Sequence, residues 1–205
     1  MDSVSRWMCA AAIVLGMLLG GCAAVRPVVG SDAALRYGVV VADIRPVLHH
    51  GDWLVTRGVH ATDDFVSFVT NAPLSHAAIY DAFNDEVIEA EGIGVHATPL
   101  VEFIAKSQRL LVIRPVWASP ENCVRAVERA RSWIGKGYNL TGLVGLNMAD
   151  AYYCTQLVIE AYRPEVQMVP SGGAQDGGDH LNPFPMVIQP GQMYHWGRIM
   201  YDSGP

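Results

Sequence analysis

Two short apolar runs, Ser75-His76-Ala77-Ala78-Ile79-Tyr80 and Glu86-Val87-Ile88-Glu89-Ala90, constrain this chain more than any other feature. Between them lies a turn segment rich in Asp and Asn, 81–85. Runs of that length, bounded by turn formers, predict an antiparallel hairpin. If Ala78 pairs with Val87, then His76 pairs with Glu89. Directly opposite residues project on one face within contact distance, so the hairpin sets an imidazole beside a carboxylate. That pairing holds the ring in one tautomer and stabilises its protonated form. Glu91 and Asp81 are the weaker candidates for the carboxylate.

The flanking sequence supplies both helices and further strands. Trp53-Leu54-Val55-Thr56 predicts a strand after the turn His49-His50-Gly51-Asp52. Residues 39–42 read either as a short strand or as the start of a helix. A short helix is expected over 65–70, and Val95-His96-Ala97-Thr98 predicts another strand. Thr98 followed by Pro99 then reads as an N-cap with proline at the first helical position, opening a helix to Ala105. Residues 110–116 predict a strand. Ser119-Pro120 repeats the helix-start signal, and 120–135 has helical spacing with Val124, Val127, Ala130, Trp133 and Ile134 on its apolar side. Residues 138–150 read as loop. A further helix is expected from Tyr153 to Tyr162, closed by Pro164. The Pro- and Gly-rich residues 165–192 read as loop or lid, and 195–201 as a last strand. Separate helices and strand hairpins argue for an α+β fold, an antiparallel sheet packed against helices.

The beginning of the chain has the pattern of an export signal. Residues 8–20 are almost wholly apolar or glycine, a run too short for a comfortable span. It ends in Leu19-Gly20-Gly21-Cys22, which resembles the lipobox of bacterial lipoproteins. The expected organisation is a signal at 1–21, a tether at 22–36 that starts with a lipidated Cys22, and one domain over 37–205. Ala23 after the lipidated cysteine implies the outer membrane, facing the periplasm, with a lipid anchor in place of a transmembrane helix. The 205 residues suffice for one buried core. A net charge of −6 argues against an electrostatic nucleic-acid binder.

Four cysteines occur. Cys9 leaves with the signal and Cys22 is the lipidation site, so Cys123 and Cys154 remain. An exported protein can join them in a disulfide, which is one alternative. The other starts from Tyr152-Tyr153-Cys154-Thr155-Gln156-Leu157-Val158, which sets Cys154 at a helix N-terminus. The free amides and dipole there favour an anion. A thiol in such a place can fall from about 8.5 to roughly 3.5–7.5, and the same amides can donate to a developing oxyanion. The backbone amide of Cys154, helped by Tyr153, is the expected oxyanion site. His49, His50, Asp52 and His60 match no zinc spacing, and Asp52 reads as a turn residue. His96, His180 and His195 have no evident partner. Trp133 and Ile134 are expected in the core.

Gly51-Asp52 before a strand, Ser75-His76-Ala77-Ala78-Ile79-Tyr80, Val87-Ile88-Glu89-Ala90 and Tyr152-Tyr153-Cys154-Thr155-Gln156-Leu157-Val158 together resemble the YiiX/YebB-like cysteine hydrolases. These are circularly permuted papain-like enzymes related to the NlpC cell-wall peptidases and to lecithin retinol acyltransferase. The order His76, Glu89, Cys154 matches the permuted one, and the resemblance runs over 48–165. Pro190-Gly191-Gln192-Met193 is similar to the family's C-terminal turn. The resemblance implies Cys154 as nucleophile, His76 as base and Glu89 as orienting acid. Gln156 stands where an acidic residue is common, and the loop 165–189 is longer than usual. The expected function is an envelope cysteine hydrolase that cleaves an amide bond, as in cell-wall peptides, through an acyl-enzyme and without metal or cofactor. The expected partners are a peptide, cell-wall or lipid-derived acyl substrate and, through the anchor, the membrane. The alternatives are a lipid or N-acyl ester or thioester hydrolase or acyltransferase with the same site, and a non-catalytic envelope binding module.

Overall fold

A computed structural model describes residues 31–58, 74–144, 148, 150–167 and 188–204, with the side chains of 31–37, 58, 143, 144 and 167 excepted. The expected signal, Cys22, the helix over 65–70, His60, His180 and most of the long loop lie outside the described residues.

Its centre is a six-stranded antiparallel sheet formed by β1 (Trp53–Gly58), β2 (His76–Asp81), β3 (Glu86–Glu91), β4 (Gly94–Pro99), β5 (Ser107–Pro115) and β8 (Gly197–Asp202), in the order β4-β3-β2-β1-β5-β8. The helices are α1 (Ser31–Ile44), α2 (Leu100–Ala105), α3 (Pro120–Ser132) and α4 (Cys154–Gln167). Two-residue strands β6 (Gly137–Tyr138) and β7 (Ala151–Tyr152) pair in parallel beside them. Short 3-10 turns span Leu140–Val144 and Pro190–Trp196.

Both sheet faces are covered, which is why β1 reads as a continuous apolar run. Trp53 and Val55 join Ala77, Ile79, Ile88, Leu111 and Ile113 in a core closed by α3 and α4. Leu54 joins Ala78, Tyr80, Val87, Leu110 and Val112 in a second core with Ile44, Leu100, Phe103 and Ile104. Helix α3 starts as its sequence predicts, with the Ser119 hydroxyl accepting from the Asn122 amide. It buries Cys123, Ala126, Val127 and Ala130. Ile134, expected in the core, is 42% exposed, because the helix ends at Ser132 and the chain turns through Gly135.

Several boundaries differ from expectation for identifiable reasons. Residues 39–42 are helical, and α1 also takes in 31–36, which carries no clear apolar period. The hairpin is shifted by two residues: Ala78, not His76, stands opposite Glu89. In the observed register Asp81 pairs with Glu86, and its carboxylate accepts from the Phe83 amide and the Asn84 side chain. That local Asx turn, with Asp85 at φ 54°, moves the loop along the chain. Thr98 does not cap α2; Pro99 holds the cap position and the Thr98 hydroxyl donates to Glu89. Pro164 lies inside α4 instead of closing it. The turn after it is held by Glu165, fully buried against Arg125 and Arg129 of α3.

Gly51 closes the turn before β1 at φ +83°, where a side chain is strained. A Cβ there would lie 2.4 Å from the Tyr162 hydroxyl and 2.8 Å from Cys123 Cβ. The Tyr162 hydroxyl itself donates to the Gly51 carbonyl at 2.9 Å. Gly51→Ala should therefore destabilise the domain by about 2–4 kcal/mol, the sum of backbone strain and an overpacked contact. Chemical denaturation checks this; a midpoint equal to wild type would show that the turn relaxes freely.

Candidate active site

The first turn of α4 is held by an amide network. The Tyr153 carbonyl accepts the first helical bond from Leu157, so Tyr153 acts as the N-cap and Cys154 as the first helical residue. Gln156, three residues after the cap, accepts the Tyr153 amide at 3.3 Å, one half of a capping box. Buried Asn139 donates to the same Gln156 oxygen at 3.2 Å, and its own oxygen accepts from Gly142 N and the Thr141 hydroxyl, each at 2.9 Å. The Thr155 hydroxyl donates to the Ile188 carbonyl at 2.6 Å. A carbonyl oxygen is all the cap requires, so glutamine serves where an acid is common. Gly142 is required for the fit, since a Cβ would come within 2.4 Å of the Tyr153 ring.

Leu157, Val158 and Ala161 seat α4 in the core with Ala77 and Ile79. This brings the helix start to the His76 end of β2, near enough for the Cys154 thiol to act on the His76 ring. His76 Nε2 lies 2.7 Å from Glu89 Oε2, which leaves Nδ1 for the thiol. Glu89 is diagonal to His76 in the observed register, and Ala78, directly opposite Glu89, is small enough to let the two meet. Glu89 is 1% exposed and His76 is nearly buried. Burial alone would lower the His76 pKa. Its bonds to Cys154 and Glu89 and their charges prevail and raise it well above 6.5. Burial would likewise raise Glu89, but His76, His96 and Thr98 hold its carboxyl well below the usual range.

The structure thus brings together His76, Glu89 and Cys154. Asp81 is at the other end of β2, bonded to Arg131, and Glu91 faces His96 at 3.6 Å. Tyr153 is buried, with its hydroxyl against Ile188 and Thr155 and within the field of Cys154. Cys123 and Cys154 are free buried thiols, so the disulfide alternative does not hold. Two features escape sequence reasoning. His96 has a partner after all, Glu89, at 3.4 Å; their cross-strand pairing across β3 and β4 is the signal that could have found it. Asp52 is more than a turn residue: it accepts the His49 amide and is clamped bidentately by Arg114 of β5.

Among the described residues, His76, Glu89 and Glu91 bring possible ligand atoms within 4.8 Å of one another. The 2.7 Å between His76 Nε2 and Glu89 is the spacing of a shared proton. Two ligands at about 2.0–2.1 Å from a tetrahedral cation would stand roughly 3.3 Å apart. A separate cavity of about 320 Å³ lies at the opposite end of the sheet, lined by His49, His50, Phe83, Arg114, Pro120 and Cys123.

Residues 48–172 match the family described as permuted papain-like amidase enzymes, YaeF/YiiX, the C92 family. The chain belongs to this family. It is accordingly a cysteine hydrolase of the amidase kind, with the helix-and-antiparallel-sheet fold of the permuted papain-like group. A solved structure titled metalloprotein yiiX from Escherichia coli O157:H7 shares the fold, with a TM-score of 0.50 and 23% identity over 58% of this chain and 67% of that one. No relative among the curated proteins matches the chain by sequence. Among the described residues, no helix is long and apolar enough to cross a membrane.

Proposed function

We propose that this C92-family enzyme is a lipid-anchored amidase of the bacterial envelope, cleaving an amide in cell-wall peptides through an acyl-enzyme on Cys154. The observation that supports this most is the His76 ring set between the Cys154 thiol and the Glu89 carboxylate. In this reading His76 Nδ1 takes the thiol proton and the Cys154 sulfur attacks the carbonyl carbon. The oxyanion that forms accepts from the Cys154 backbone amide, with Tyr153 beside it. His76 then returns the proton to the leaving amine as the C–N bond breaks. Next it takes a proton from water, whose oxygen displaces the sulfur and releases the acid. Glu89 keeps the ring in the tautomer these transfers need and stabilises its cation. The anchor at Cys22, with Ala23 after it, supports a site on the outer membrane facing the periplasm, within reach of the wall.

The test is to incubate the full-length protein with purified wall peptides and with fatty-acyl esters, and to follow products by mass spectrometry. New amine and carboxylate ends in the peptides, lost in Cys154→Ala, are the expected result. Ester cleavage with intact peptides would replace the wall substrate by a lipid-derived one. Turnover of either that survives Cys154→Ala would remove Cys154 from the mechanism.

A further inference from the structure

Glu89 carries a second histidine that the hydrolytic steps above do not use. Strand β3 lies between β2 and β4, so Glu89 stands opposite Ala78 on one side and His96 on the other. Its two oxygens serve different strands. Oε2 meets His76 at 2.7 Å. Oε1 accepts from the Thr98 hydroxyl and lies 3.4 Å from His96 Nε2.

The protonation of His96 follows from what surrounds it. Nδ1 is 3.0 Å from the Gly94 carbonyl, which can only accept, so Nδ1 carries a proton. Nε2 faces Glu89 and, at 3.6 Å, Glu91, and these carboxylates also only accept. A neutral ring would turn its Nε2 lone pair toward two anions. A doubly protonated ring donates on both sides. The Glu89 bond leads in raising the His96 pKa above 6.5, against partial burial, with the Gly94 bond and the Glu89 and Glu91 charges adding to it.

We propose that His96 is a positioning residue, a second imidazolium on Glu89 that anchors the carboxylate and limits how strongly it stabilises the His76 imidazolium. The inference rests on the Cys154–His76–Glu89 reading. Glu89 alone, bonded at Nε2, would stabilise the His76 imidazolium strongly and slow delivery of the Nδ1 proton to the leaving amine. A cation on the other oxygen offsets part of that field while preserving the hydrogen-bond geometry. The groups facing each member are few. His76 meets Cys154 from α4, Glu89 and, within 4.8 Å, Glu91 from β3, and the uncharged Phe103 ring of α2. His96 meets Glu89 and Glu91. Near the β4 turn, Lys136 is engaged with Asp150 at 3.3 Å and with the Tyr152 ring.

Histidine-ring NMR across pH on the full-length protein tests this, with His76→Ala and His96→Gln assigning the signals. At pH 7 the His96 ring of the unaltered protein should be protonated on both nitrogens. His96→Gln should move the His76 titration to higher pH by about one unit, the scale expected for loss of one nearby charge, and His96→Lys should restore most of it. A change in packing alone would not distinguish Gln from Lys in that way. The proposal is overturned if the His96 ring is mostly neutral at pH 7, or if His76 titrates identically in wild type and His96→Gln. Should His96→Gln fail to fold, the ring state of the unaltered protein and the Lys variant still decide. A His76 titration unmoved by Cys154→Ala would instead sink the triad, leaving the His96 result to stand by itself.

Discussion

Cys154→Ala should lower amide hydrolysis by about 10⁴-fold or more while leaving the domain folded. The size follows from the role: without the sulfur no acyl-enzyme forms, and what remains is binding and oxyanion stabilisation alone. The fold should survive because Cys154 contributes a single small side chain at a helix start. The anchors of α4 are Leu157, Val158, Ala161 and Tyr162 in the core, together with the Gln156–Asn139 cap. Removing one sulfur should therefore cost less than about 1.5 kcal/mol. Parallel turnover and melting curves check both halves. A large loss of stability would mean that the activity loss reports unfolding, and His76→Ala would then carry the test. The His76 titration should also move down in Cys154→Ala, since both the thiol bond and its charge raise it.

Glu89→Gln should reduce kcat by about 100-fold or more and weaken the fold at neutral pH. The glutamine amide is isosteric, yet its NH₂ can donate to His76 Nε2 and leave the ring proton on Nδ1. That is the wrong tautomer for accepting a proton from the thiol. The substitution also leaves His76 and His96 facing a neutral group in a buried place, at a cost of about 1–3 kcal/mol. The pH dependence follows from the two shifts. Glu89 is depressed in the folded state, so its contribution is present above the unfolded value near 4.5 and is lost as pH falls through its lower folded value. His76 is raised, so its contribution is present below 6.5 and is lost as pH rises through its folded value. The stability gap between wild type and Glu89→Gln should thus be widest between about pH 4.5 and 6.5. It should narrow as pH falls further. Urea titrations at several pH values measure it; a gap that does not change with pH would mean that the charge of Glu89 contributes nothing.

The hairpin, the Ser119-Pro120 helix start and the cysteine at a helix N-terminus are all legible locally, because apolar period, turn residues and caps act within a few positions. The same local logic pairs a histidine with a glutamate. It reaches the correct partners through a register two residues off, since a diagonal neighbour across a small alanine can touch as well as an opposite one. Pro164 misleads for a related reason. The rule that proline ends a helix is local, while the clamp of Glu165 by Arg125 and Arg129 acts between two helices.

By itself, then, the order of residues determined the α+β character, the order His76, Glu89, Cys154 and the resemblance that led to the family. Tertiary structure alone decided three things: that the Cys154 helix starts at the His76 end of β2, that Arg114 claims Asp52, and that His96 shares Glu89 with His76. Each depends on strand register or helix docking. Those are set by the packing of both cores at once, whereas local propensity carries no information about which distant side chain will fill a given lone pair.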